Sequence, residues 1–127
     1  METSQQRSII ESYVRAYNAF DIAGMTQHLH SEVIFENVTN GEIDLTTEGI
    51  EAFREQAERA RALFSQREQR ITDWSYDGDQ VTIGIDYQGT LAIDLPNGLE
   101  AGDQLSMQGE SEFHFREGQV VLLRDRS

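Results

Sequence analysis

The sequence predicts a single α+β domain in which a curved sheet and three helices enclose an apolar pocket. Two patterns and one bound lead to this class. Apolar residues recur at helical spacing through most of the first half of the chain and at strict period two in the second. The bound is length: 127 residues suffice for one core, burying roughly two thirds of the unfolded surface, and argue against a second domain.

From about Thr3 to Asn18, Ile9, Ile10, Tyr13, Val14 and Tyr17 form one apolar stripe, the mark of a one-sided helix. Asp21 can cap a second, shorter helix through Ile22, Met25 and Leu29, because its carboxylate can accept from free N–H groups of the first turn. Alternation replaces the helical period from Glu32 to Val38, with Val33, Phe35 and Asn37 on one face of a strand and Ile34, Glu36 and Val38 on the other. The polar stretch Thr39 to Thr46, with Asn40-Gly41, reads as a loop leading to a helix start near Thr47 to Gly49. Ile50, Phe53, Ala57, Ala60 and Phe64 are the stripe of this third helix. Its solvated face carries Glu55 with Arg59 and Arg54 with Glu58, each pair four apart.

The second half reads as strands. Gln66 to Tyr76 is followed by a tight turn at Asp77-Gly78-Asp79 and a long strand from Val81 to Leu95. In that strand Val81, Ile83, Ile85, Tyr87, Leu91, Ile93 and Leu95 share one parity, and Thr82, Asp86, Gln88, Thr90 and Asp94 the other. Gly89 interrupts the apolar row, where a bend would let the sheet curl around a cavity. After a connection through Pro96-Asn97-Gly98 and Gly102-Asp103, the next strand has Leu105, Met107, Ser111, Phe113 and Phe115 inward. Glu117-Gly118 turns into a last strand whose Val120, Val121, Leu122 and Leu123 are apolar without a break. Both faces of that strand are therefore expected to be covered, one by the core and the other by a second subunit in a homodimer.

The formal net charge is −13 and every basic residue is arginine, with no basic stripe to follow a phosphate backbone, so nucleic acid is not an expected partner. That charge also repels anionic lipid headgroups, and no apolar stretch approaches the ~20 residues that span a bilayer. Without cysteine there is no disulfide, no thiolate nucleophile and no Cys-based zinc site. Glu2-Thr3-Ser4-Gln5-Gln6 has neither the basic start nor the apolar centre of a secretion signal, which makes the cytoplasm the expected compartment.

Three helices, a strand between the second and third, and four long strands with an apolar face form a recognisable order. It resembles the nuclear-transport-factor-2-like superfamily. Within it, Tyr13-Val14-Arg15-Ala16-Tyr17-Asn18-Ala19-Phe20-Asp21, Phe35-Glu36-Asn37 and Gly49-Ile50-Glu51-Ala52-Phe53 are similar to the SnoaL-like and ketosteroid-isomerase-like branches. The resemblance covers nearly all of residues 1–127. It implies a cystatin-like α+β roll, with a cone of curved antiparallel sheet packed against three N-terminal helices and often paired as a homodimer. It also implies a small hydrophobic ligand and, in related families, isomerisation, aldol cyclisation or epoxide hydrolysis without metal or organic cofactor. Other relatives only bind, or serve as dimerisation modules.

Residue by residue, the isomerase pattern places Tyr13 at the oxyanion-donor position, Asn37 where the catalytic base would stand, and Ser111 where a protonated acid would stand. Asn37 cannot accept a proton at neutral pH, and Ser111 is the weaker donor. The epoxide-hydrolase pattern matches Asn37 and Asp125. Phe35 replaces its tyrosine, however, and its Arg/Asp pair falls near Gln88 and Thr90. The cyclase pattern asks only for one aspartate in an apolar pocket, and Asp125 fits. Tyr17, Phe35, Phe53, Ile85, Tyr87, Met107, Ser111 and Phe113 are expected to line that pocket around the catalytic candidates Tyr13, Asn37 and Asp125.

Each candidate has a plainer reading. Tyr13 can be a core tyrosine, Asn37 can hold a structural hydrogen bond, and Asp125 can pair at the surface with Arg124 or Arg126. His28 and His30 point apart on a helix and read as end caps rather than metal ligands. His114 reads as an exposed imidazole beside Glu110 and Glu112, and Trp74 as part of a pocket rim or a dimer face.

Overall fold

The computed structural model describes residues 1–127. In chain order the elements are α1 (Thr3–Asn18), α2 (Ile22–Thr26), β1 (Leu29–Thr39), β2 (Glu42–Glu48), α3 (Ile50–Arg61), β3 (Phe64–Asp77), β4 (Gln80–Leu91), β5 (Gln104–Arg116) and β6 (Gln119–Arg126). Asp21 caps α2 as its chemistry suggests, accepting from the Gly24 N–H at 3.0 Å. The helix then stops at Thr26, and Leu29 and His30 belong to β1. His30 therefore caps no helix; its Nδ1 accepts from the Glu32 N–H at 3.0 Å.

The strands form one sheet in the order β2-β1-β6-β5-β4-β3. It is mixed rather than wholly antiparallel, because β1 and β6 run parallel while every other neighbouring pair is antiparallel. Connectivity accounts for this. After β2 the chain crosses through α3 to the far edge, and the successive reversals from β3 to β6 return it beside β1 in β1's own direction. The polar segment expected as a loop is half of a hairpin. Asn40 and Gly41 both take positive φ, 53° and 81°, and turn β1 directly into β2.

Two further boundaries differ from expectation. Phe64 opens β3 instead of closing α3, and its ring lies against Tyr87 at 5.9 Å between centroids. β4 ends at Leu91, not Leu95, because the Ala92 N–H turns to the Leu63 carbonyl and the Leu91 N–H to that of Asp103, which leaves Ile93 exposed. The ion pairs on α3 join Arg54 to Glu51 and Arg61 to Glu58, three apart rather than four.

α1 lies across β3, α3 lies over β1 and β2, and α2 links the two helices. Their buried residues, Ile10, Tyr13, Val14, Met25, Phe53 and Ala57, meet Val33, Val81, Ile83, Ile85, Phe113, Val120 and Leu123 from the sheet in one core. Gly89 faces inward, and a Cβ there would come within 2.8 Å of the Phe64 ring; the absent side chain is what lets that ring lie over β4. No helix is long and apolar enough to cross a membrane.

Candidate functional site

The helices do not close fully on the sheet, and the space left between them is a cavity of about 410 Å³. α1 contributes Tyr13 and Tyr17, and α3 contributes Phe53, Gln56, Ala57 and Ala60. The sheet contributes Phe35, Asn37, Arg67, Gln69, Ile85, Tyr87, Met107, Ser111 and Asp125. Aromatic pairs set the walls edge to face, Phe35 against Phe53 at 5.6 Å and Tyr17 against Tyr87 at 6.2 Å. Phe113 alone among the expected lining residues is absent from the cavity. It is only 1% exposed and packs beneath Tyr13 at 5.7 Å, as a floor for that ring.

Asp125 reaches the cavity through an irregularity in β6. Phe113 pairs with Leu123 and His114 with Leu122, but Phe115 pairs with Val120, so Val121 is an extra residue. The bulge resets the parity and turns Val120 and Leu123 both into the core. Asp125, two residues past Leu123, shares its face and points into the cavity. Arg124 and Arg126 lie on the other parity. Arg124 bonds Glu36 and Glu112 at 2.8 Å each, and Arg126 bonds Glu112 at 2.8 Å. The plainer reading of Asp125, a surface pair with Arg124 or Arg126, is therefore not what forms; both arginines are engaged elsewhere.

The Ser111 hydroxyl donates to Asp125 Oδ1 at 2.6 Å from the adjacent strand. Burial disfavours the carboxylate and pushes the Asp125 pKa up to about 6, against which the Ser111 donor pulls down. Tyr13 lies near enough to feel Asp125, and burial and that negative charge both raise the tyrosine's pKa, so its hydroxyl stays protonated. Tyr17 donates to Tyr87 at 3.0 Å, and burial raises both phenols. Asn37 lies opposite Asp125 in the β1·β6 register, but its amide donates to Asp44 Oδ1 at 2.9 Å across the β1–β2 hairpin. That bond holds Asp44 below the usual carboxylate range.

Sequence reasoning missed Arg67 and Gln69, which lie two apart on β3 and both line the cavity. Arg67 is 6% exposed; its Nε donates to the Tyr17 carbonyl at 3.0 Å, and its guanidinium lies 3.7 Å over the Tyr17 ring and 4.6 Å from the Phe20 ring. Phe20 holds a φ of 58°, costly for a bulky residue, at the end of α1 where glycine is usual. The one apolar hint on this parity is Ile71. His28 and His30 form no metal cluster with other side chains. Trp74 stacks on Tyr76 under Arg7, away from the cavity.

Comparison with known proteins agrees with this architecture. The model of the SnoaL-like domain matches residues 10–123. A search of curated proteins found no match. A candidate polyketide cyclase of Xanthomonas campestris pv. campestris superposes with a TM-score of 0.84 at 19% identity, over 98% of this chain and 90% of that one. An uncharacterised cystatin-fold protein of Novosphingobium aromaticivorans gives 0.75 at 18% identity, over 93% and 94%. A hypothetical protein with a ketosteroid-isomerase-like fold from Catenulispora acidiphila, solved in complex with trimethylamine, gives 0.76 at 17%, over 92% and 82%. With the mixed curved sheet, the three helices and a family match over nearly the whole length, the chain belongs to the SnoaL-like domain family of the nuclear-transport-factor-2-like superfamily.

Proposed function

We propose that the chain binds a small hydrophobic molecule between α1, α3 and the sheet and acts on it by cofactor-free acid/base chemistry of the cyclase or isomerase kind. The observation that carries this reading is Asp125: a carboxyl inside an apolar cavity, free of any ion pair, with a pKa raised to about 6. A carboxylate so poised can take a proton from a carbon next to a carbonyl and return it elsewhere on the same molecule. The Tyr13 hydroxyl, which faces the same cavity and stays protonated, can donate to the oxygen on which charge then accumulates. Ser111 fixes the carboxylate's orientation. The candidate cyclase among the structural neighbours is consistent with this chemistry, at an identity that speaks only for the fold.

Hydrolysis of an epoxide is less well supported. It asks Asn37 to hold a water, whereas the Asn37 amide is committed to Asp44.

The test is turnover of a panel of polyketide-type β-ketones and cyclic enones by the wild-type chain and by Asp125→Asn. The expected kcat/KM rises with pH through about 6, as the base ionises, and then levels. Loss of about two orders of magnitude or more in Asp125→Asn is expected for a removed general base. Equal turnover by the two proteins would remove Asp125 as the base, and turnover by neither would leave the cavity a binding site without catalysis.

A further inference from the structure

Arg67 is a charge without an opposite charge. It is buried to within 6% of full exposure loss, and none of the chain's ion pairs includes it. Its Nε is used by the Tyr17 carbonyl and its Nη2 approaches only the Met25 sulfur, at 4.0 Å, which leaves Nη1 without a protein acceptor. Arg67 lines the cavity, where a bound molecule can supply the missing acceptor. Gln69, two residues on and 8% exposed, lines the same stretch of wall; its backbone bonds Asn18, and no protein group bonds its side-chain amide. Burying a guanidinium costs several kcal/mol unless hydrogen bonds and an anion compensate. Stacking over Tyr17 and contact with Phe20 return part of this, and they also lock the planar fork in place. In a chain of net charge −13, Arg67 is the one arginine of the cavity lining that no carboxylate pairs, since Arg126 bonds Glu112.

We propose that the natural ligand is an amphipathic organic acid, whose carboxylate docks on Arg67 and Gln69 while its apolar body lies along the aromatic walls toward Asp125. This rests on the ligand-binding reading of the same cavity. Geometry gives the ligand two ends. Arg67 is on β3 and Asp125 on β6, with β4 and β5 between them, so the two sites lie roughly 14 Å apart along a flat sheet and closer on a curved one. A molecule of two fused or linked rings spans such a distance. The arrangement also separates the jobs: the anchoring charge sits away from the carboxyl that moves protons, where a ligand carboxylate would be repelled. Arg67 and Gln69 are thus specificity-determining residues, not catalytic ones.

The test compares 2-naphthoate with its neutral isostere 2-naphthamide, titrated into the full chain at pH 7.5 and followed by calorimetry and by the Arg67 Nε–H resonance. The naphthoate is expected to bind about tenfold or more tightly than the amide, the scale of a charge-assisted hydrogen-bonded pair, and to shift the Arg67 signal. Arg67→Met should erase that preference while still binding the amide. Arg67→Lys, which keeps the charge without the fork, should retain part of it and guards against a folding defect in the first variant. Equal affinity for the two probes, or a preference that survives Arg67→Met, overturns the proposal and leaves the pocket reading intact. Failure of both probes to bind the wild-type chain overturns both.

Discussion

Asp125 is the residue on which the account turns, and its chemistry makes a stability statement as well as a catalytic one. Its folded-state pKa, about 6, lies above the ordinary aspartate value of 3.8, so the folded chain holds this proton more tightly than the unfolded one. Stability from this group is therefore present below about pH 4, declines as pH rises toward 6, and is gone above it. At about 1.4 kcal/mol per pKa unit, ionised Asp125 costs the native state up to about 3 kcal/mol at neutral pH. Asp125→Asn should then raise the unfolding free energy at pH 7.5 by an amount of that order and change it little at pH 4. Denaturant titration at the two pH values checks this, and a variant destabilised equally at both would show the carboxylate to be supported rather than strained. Ser111→Ala removes the hydroxyl that favours the ionised form, so the Asp125 midpoint should move above 6. At this scale the sequence was partly legible. Period two on β5 was enough to turn Ser111 inward, but parity could not orient Asp125, because the unbroken Val120–Leu123 run hides a bulge. Arg67 left no signal, since a charged residue on a strand looks like a solvated one until α1 is seen to cover it.

The elements were legible where burial imposes a period. The stripes of α1 and α3 and the alternation of β4 and β5 follow from one face meeting the core. β2 was not, since its residues Glu42–Glu48 lie at a sheet edge with only Thr47 buried, and a mostly exposed strand carries no alternation. Asn40-Gly41 was the surviving clue to a hairpin. The parallel pairing of β1 with β6 leaves no mark on either strand, because it is a consequence of topology. Gly89 supplies a prediction for β4: Gly89→Ala places a methyl group against Phe64 and should cost about 1–3 kcal/mol through overpacking, with Phe64→Leu in the same chain recovering part of it. Thermal unfolding of the single and double variants measures the coupling. Additive losses would mean that the two residues do not meet.

For the whole molecule, the acidic surface is a self-repelling shell around a largely apolar cavity whose charged lining includes Arg67, which no carboxylate pairs, and Asp125, which no arginine pairs. Screening weakens that repulsion, so the midpoint of thermal unfolding should rise between about 10 mM and 300 mM sodium chloride. A fall would mean that the ion pairs of Arg124 and Arg126 with Glu112 outweigh the net charge. Val121 at the bulge accounts for the apolar run of β6 within one chain, so the homodimer remains a proposal about the outer face of that strand. Sedimentation should give twice the 14.5 kDa chain mass if it forms, and the single-chain mass if it does not. The general order of helices and strands was readable from periodicity, and most of the cavity lining from the family resemblance; Arg67 and Gln69 were not, because a polar strand position shows its burial only once a helix is seen to cover it. The most direct test of the central claim is the titration of the Asp125 side-chain carbon by NMR in the unliganded chain. The account predicts a midpoint near 6, from a carboxyl desolvated in the cavity beside Ser111. A midpoint near the ordinary 3.8 would place the carboxylate in water and contradict its role as the acid/base group.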